Sequence, residues 1–139
     1  MHTYSTLFPQ AEIIVAEIDE AVVSVAEEYF AYKSTDKIKT VTEDGRLYIK
    51  RAGLRNEKFD LVILDAFNGD YIPEHLMTRE FLEEIRDLLA PGGVVVANTF
   101  SISGLYAAES ATYAAVFGSF LNLKPWDSGN RVLIAARGD

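Results

Sequence analysis

The run Phe59-Asp60-Leu61-Val62-Ile63-Leu64-Asp65 constrains this chain more than any other stretch. It is apolar along most of its length and closes on an aspartate. A short run of this kind reads as a strand buried in a parallel sheet. A polar loop follows at once, Ala66-Phe67-Asn68-Gly69-Asp70. In an open parallel sheet, ligands sit just beyond the carboxyl ends of the strands. Asp65 therefore stands where chemistry is expected, and Asp70 lies within reach of the same space. Two earlier acidic strand ends, Glu17 and Asp44, repeat the arrangement. No glycine-rich first strand-to-helix turn is present.

The remaining elements follow from periodicity. Glu12 to Ile18 is a short apolar run, read as a buried strand. Asp19 is placed to cap a helix from Glu20 to Phe30, with Val22, Val23, Ala26, Tyr29 and Phe30 toward the core. Lys37 to Val41 is a brief strand, and Asp44-Gly45 turns the chain into a helix from Arg46 to Ala52. The loop Ala66 to Met77 ends at Thr78, which caps a helix striped by Phe81, Leu82, Ile85, Leu88 and Leu89. Ala90-Pro91-Gly92-Gly93 stops that helix, because proline cannot continue it and glycine permits the turn. Although this double glycine looks like a phosphate loop, it follows a helix and precedes a strand, the wrong order for that role. Val94 to Asn98 is a buried strand and Gly104 to Phe117 an alanine-rich helix, with Tyr106, Tyr113 and Phe117 at core spacing. Leu121 to Trp126 and Arg131 to Arg137 close the chain as a hairpin-like pair around Asp127-Ser128-Gly129-Asn130. Strands alternating with helices give an α/β class: a mostly parallel sheet, helices on both faces, and an antiparallel strand near the carboxyl terminus.

Composition narrows the chemistry. With 139 residues and no internal repeat or linker, one domain spanning 1–139 is expected. The chain has no cysteine, which excludes a disulfide framework, a thiolate metal site and a thiol nucleophile. Its two histidines, His2 and His75, are too far apart in sequence to suggest a metal cluster, so no metal is expected. The net charge of −8 disfavours nucleic acid and favours a cationic ligand. No apolar run is long enough to span a bilayer and no signal peptide opens the chain, so the cytoplasm is the expected location.

Four motifs in order carry a resemblance: Ala16-Glu17-Ile18-Asp19, Glu43-Asp44-Gly45-Arg46, Leu64-Asp65 and Ala90-Pro91-Gly92-Gly93. Together they resemble the polyamine aminopropyltransferases, of which spermidine synthase is the best known. The stretch from Asp65 through Gly69-Asp70, Ile72-Pro73, His75-Leu76 and Thr78-Arg79-Glu80-Phe81 is similar to bacterial spermidine-synthase-like proteins. The resemblance implies the Rossmann-like fold of S-adenosylmethionine-dependent methyltransferases. It implies aminopropyl transfer from decarboxylated S-adenosylmethionine to a diamine such as putrescine. By the same resemblance Glu17 holds the ribose hydroxyls, Asp44 and Gly45 lie near the adenine, Asp65 helps deprotonate the attacking amine, and Asp70 helps bind the polyamine. Ala66-Phe67 depart from the small polar residues that usually follow the catalytic aspartate in the family.

Each residue also has a plainer reading. Glu17 also reads as a polar strand end, Asp44 as a helix cap, Asp65 as a loop cap, Asp70 as a turn residue and His75 as an exposed loop residue. Asn98 either faces the cleft of Asp65 or only terminates the sheet. Relative to the family, the first strand, its glycine-rich turn and the amino-terminal β domain are missing, and an amino-terminal truncation is expected. Two remedies for the lost central strand follow: the Glu17 strand pairs directly with the Asp65 strand, or a second copy or another protein covers the edge. Besides the aminopropyltransferase, two functions remain open on the same scaffold: a methyltransferase using S-adenosylmethionine itself, and a non-catalytic assembly module.

Overall fold

A computed structural model of the chain describes residues 2–67, 71–102, 104–125 and 128–138. Two compact units divide it, Met1–Tyr48 and Ile49–Asp139. The expected Asp70, with Gly69, lies outside the described residues.

The first unit opens with helix α1 (His2–Leu7), followed by strand β1 (Ile13–Glu17), helix α2 (Glu20–Tyr29) and strand β2 (Ile38–Thr42). β1 and β2 pair in parallel, in register from Ile13 with Ile38 to Glu17 with Thr42. Asp19 caps α2 as its sequence position implies: its carboxylate accepts from the Ala21 amide at 2.8 Å, a bond worth about 1 kcal/mol. The core-facing side of α2 is narrower than its periodicity suggests. Val23 and Ala26 are half-buried, while Val22, Val25, Tyr29 and Phe30 are exposed. The chain then enters helix α3 (Gly45–Leu54), which is capped by Asp44.

The second unit holds strand β3 (Phe59–Leu64), helix α4 (Arg79–Leu88), strand β4 (Leu89–Phe100), helix α5 (Tyr106–Phe117) and strands β5 (Leu121–Leu123) and β6 (Asn130–Ala136). A single turn of 3₁₀ helix at Glu74–Leu76 precedes α4. The strand order is β3-β4-β6-β5; β3 and β4 run parallel, and β6 is antiparallel to both its neighbours. This matches the mostly parallel sheet with an antiparallel closing strand expected from the sequence. Among the described residues β1 pairs with β2 and β3 with β4, and the expected direct β1–β3 pairing is not found among them.

The core of this unit lies under α4 and α5. Phe81, Leu82, Ile85 and Leu88 of α4 are all buried, each contributing roughly 1.5–3 kcal/mol by leaving water. They share the interior with Val95 and Ala97 of β4, Leu133 and Ala135 of β6, and Tyr113 and Val116 of α5. Thr78 starts α4 by accepting from the Phe81 amide at 3.2 Å. The helix ends at Leu88, and β4 begins with the next residue, well ahead of the Val94 start expected from sequence. Ala90-Pro91-Gly92-Gly93 thus lies inside the strand as an irregularity, where pairing skips from Phe59–Leu89 to Leu61–Val94. Gly92 takes a positive φ of 76°. A Cβ on Gly93 would stand 2.8 Å from the Phe59 carbonyl oxygen and 2.9 Å from that of Ala90, so only glycine fits there.

Candidate active site

The rim of the second unit is built from three strand ends. Asp65 is the first residue beyond β3, Asn98 lies near the end of β4, and Asn130 opens β6. In parallel pairing, partnered residues point to the same side of the sheet. Ile63 pairs with Val96, so Asp65 and Asn98, two residues further along each strand, share a face. That face is opposite the one on which Val95, Ala97 and Leu133 are buried.

A short chain of hydrogen bonds links the three side chains. Asn98 Nδ2 donates to Asp65 Oδ1 at 3.0 Å, and Asn130 Nδ2 donates to Asn98 Oδ1 at 3.1 Å. Asp65 is exposed, and its Oδ2 has no hydrogen-bond partner among the described residues. Of the two readings left open for Asn98, the structure supports the one that turns it toward Asp65. Two residues beyond each member of the pair stand Phe67 and Phe100, whose rings meet edge to face at 5.2 Å. The carboxylate therefore has an amide on one side and an aromatic pair close by in sequence and space. Such a site can accept a proton from an ammonium and offer a carbon-rich wall to its alkyl chain.

In the first unit, Glu17 ends β1, and its Oε1 accepts from the Asp19 amide at 3.0 Å. The Glu43 amide donates to the Glu17 carbonyl at 3.1 Å, continuing the β1–β2 pairing past the strand end. This brings Glu17 and the Asp44-Gly45 pair to the same carboxyl end of one parallel ladder. Asp44 Oδ1 accepts from the Arg46 amide at 2.9 Å and the Leu47 amide at 3.1 Å. The cap reading of Asp44 thus holds. Glu17 is half-buried and keeps Oε2 without a hydrogen-bond partner among the described residues. A carboxylate with one oxygen anchored and one open suits a hydroxyl-bearing ligand. His75 is exposed in the 3₁₀ turn.

The opposite face of the second unit carries a polar cluster that the sequence analysis did not single out. Arg131, fully buried, bonds through Nε to Thr99 Oγ1 at 3.0 Å and through Nη1 to Ser110 Oγ at 2.7 Å. Its Nη2 reaches Glu109 Oε2 at 2.8 Å and the Tyr106 carbonyl at 3.2 Å. The guanidinium also lies 3.8 Å from the centre of the Tyr106 ring. The Asn122 amide donates to Tyr106 Oη and holds that phenol below its ordinary pKa, with the Arg131 and Lys124 cations acting in the same direction. Burial pushes the Tyr113 phenol up, and the Glu109 charge pushes it further. One sequence signal pointed to this cluster. Glu109 is the only charged residue in α5, and Arg131 directly precedes the apolar run Val132 to Ala136 of β6. Asn130 was masked by its place in a Ser-Gly-Asn turn.

Comparison with known proteins gives the family and the fold. The family model of the spermine/spermidine synthase domain matches residues 4–118. A polyamine aminopropyltransferase of Vibrio vulnificus (strain CMCP6) is 55% identical over 130 residues, which cover 93% of this chain and 44% of that protein. The crystal structure of a probable spermidine synthase from Corynebacterium glutamicum superposes with a TM-score of 0.81 at 26% identity, over 98% of this chain and 51% of that one. Human methyltransferase-like protein 13 in complex with SAH gives a TM-score of 0.88 at 23% identity, covering 95% of this chain and 64% of that one, and shares the fold. The chain thus spans about half the length of such relatives. With its Rossmann-like methyltransferase-type fold and its acidic strand ends, it belongs to the spermine/spermidine synthase family.

Proposed function

We propose that this chain serves aminopropyl transfer from decarboxylated S-adenosylmethionine to a diamine such as putrescine. The observation that carries the reading is the Asp65 carboxylate, held at one oxygen by Asn98 and open at the other, in a chain of this family. Decarboxylated S-adenosylmethionine supplies the aminopropyl group as a substituent of a sulfonium, whose thioether is a good leaving group. An alkylammonium cannot attack carbon until it has lost a proton. Asp65 orients that amine and takes the proton, directly or through water. Glu17 accepts from the ribose hydroxyls through its open oxygen, and Asp44-Gly45 borders the adenine while Asp44 also caps α3. Asp70 binds the second amine of the polyamine. The net charge of −8 favours both cationic substrates by electrostatic steering.

The protein is further proposed to work in the cytoplasm, without metal or nucleic acid, and as a homo-oligomer that covers the exposed sheet edge. No helix among the described residues is long and apolar enough to cross a membrane, which fits this reading. A second reading, methyl transfer from S-adenosylmethionine, is favoured by one observation. Phe67, where the family usually has a small polar residue, contributes half of an aromatic pair beside Asp65.

Calorimetric titration with decarboxylated S-adenosylmethionine and with methylthioadenosine tests the proposal. Saturable binding of both is expected, and transfer to putrescine should yield spermidine. Failure of both nucleosides to bind at millimolar concentration refutes it for this chain. Label transferred from methyl-labelled S-adenosylmethionine to an acceptor, with none from the decarboxylated compound, would favour the second reading. Binding without any transfer would point to an assembly module. Light scattering that shows a monomer at high concentration would refute the oligomer.

A further inference from the structure

We propose that Asn130, two strands away from Asp65 on the same face of the sheet, is a positioning residue that sets the direction of the catalytic carboxylate through Asn98. The proposal rests on the reading that Asp65 receives the amine's proton. An asparagine amide presents a donor on one side and an acceptor on the other, and its neighbours decide which way it turns. Asn130 Nδ2 donates to Asn98 Oδ1, which leaves Asn98 Nδ2 as the atom that faces Asp65. Asp65 Oδ1 is thereby engaged and Oδ2 is the oxygen left for a ligand.

Asn130 is itself held in place. Its amide donates to Ser128 Oγ at 3.1 Å, and the turn that carries it is tied to the end of β4. The Ser101 amide donates to the Gly129 carbonyl at 2.7 Å, and Ser101 Oγ donates to the Ser128 carbonyl at 3.1 Å. Ser101 is buried, so these anchors are shielded from competing water. The relay therefore runs from a fixed turn, through two amides, to one oxygen of a carboxylate on the third strand.

Two substitutions at one position separate this role from simple packing. Asn130→Leu removes the donor and keeps the bulk. Asn130→Asp keeps size and shape but faces the Asn98 carbonyl with a carboxylate. The Asn98 amide must then turn over, presenting its own oxygen to Asp65 and driving that carboxylate away. The relay predicts that Asn130→Asp is the more damaging change. A packing role predicts the reverse, because aspartate is nearly isosteric with asparagine and suits a turn.

The test is nuclear magnetic resonance of the Asn98 side-chain amide in the full chain, together with transfer kinetics. In the parent protein the Asn98 Nδ2 protons should be well separated in shift and slow to exchange. Asp65→Ala and Asn130→Leu should collapse that separation, whereas Asn130→Asp should move the signal, because the turned-over amide then donates to the new carboxylate. Turnover should fall by about tenfold in Asn130→Leu and further in Asn130→Asp, with the KM for decarboxylated S-adenosylmethionine unchanged. An Asn98 signal unaltered by either Asn130 variant overturns the relay, as does an Asn130→Leu variant slower than Asn130→Asp. The spectra need no turnover. A parent protein that binds no nucleoside therefore refutes the reaction, while the Asn98 signal still decides the relay.

Discussion

Removing the Arg131 guanidinium should destabilise the second unit more than any other single side-chain truncation on its covered face. The side chain is fully buried, and its partner Glu109 is only 10% exposed. Arg131→Met leaves a carboxylate sealed from water with no cation beside it. Breaking one partner of a buried pair costs about 3–5 kcal/mol. Thr99 and Ser110 each lose a charged donor as well, and Tyr106 loses the cation on its ring face. A typical domain has a total stability of about 5–15 kcal/mol, so the variant should be close to unfolding at room temperature. Replacing both partners, Arg131→Met with Glu109→Leu, removes the stranded charge and should recover most of the loss. The double-mutant cycle should give a coupling of about 2–3 kcal/mol. Hydrogen exchange at the Leu133 and Ala135 amides reports on this unit directly, and urea midpoints at constant slope give the free energies. If Arg131→Met lies within about 0.5 kcal/mol of the parent protein, as an ordinary surface change would, the cluster is not holding β6 to α5.

Three further outcomes are expected. Tyr113 has a raised pKa, so its contribution is complete below the unfolded tyrosine value near 10 and is lost as the pH rises above it. Stability should then fall by at most about 1.4 kcal/mol per pH unit from this one group, and Tyr113→Phe should flatten the alkaline limb of a stability–pH curve. Gly93→Ala places a methyl against the Phe59 and Ala90 backbone and should cost about 1–3 kcal/mol in urea unfolding; a neutral result would mean that the β3–β4 irregularity yields easily. Asp65→Asn should leave methylthioadenosine affinity unchanged while slowing transfer by roughly a hundredfold or more, and an equal loss of nucleoside binding would move Asp65 out of the amine-handling role.

The sequence was most legible where one signal decided the outcome. The Phe59–Asp65 run, the α4 stripe and the Asp19 and Thr78 caps all depend on local periodicity or a single side chain, and each element forms, although β3 is not the buried strand expected: Leu61 and Ile63 are exposed. Boundaries that depend on tertiary contact were not legible. β4 starts at Leu89 because Gly93 can approach the β3 backbone, a fact set by a partner strand thirty or so residues away. On α2 the apolar stripe is wider than the surface it meets, so Val22 and Tyr29 remain exposed. Asp65 was legible from its place at a strand end; Asn130 was not, because its value lies in a bond to another strand.

One residue of register connects the two polar clusters of the second unit. Along β4, Asn98 and Thr99 are consecutive and point to opposite faces, and along β6 the same is true of Asn130 and Arg131. Thr99 pairs with Arg131 and Phe100 with Asn130. Sliding β6 by one position would carry Arg131 to the face of Asp65 and thrust Asn130 beneath α5. The apolar residues alone resist that slip weakly, because Val132, Leu133, Ile134 and Ala135 offer hydrocarbon to both faces. A buried guanidinium with four hydrogen-bonded partners resists it strongly, since no other position on the covered face supplies Thr99, Ser110 and Glu109 together. The cluster that stabilises the fold thus also fixes which amide reaches Asn98, and through it how the rim carboxylate is presented.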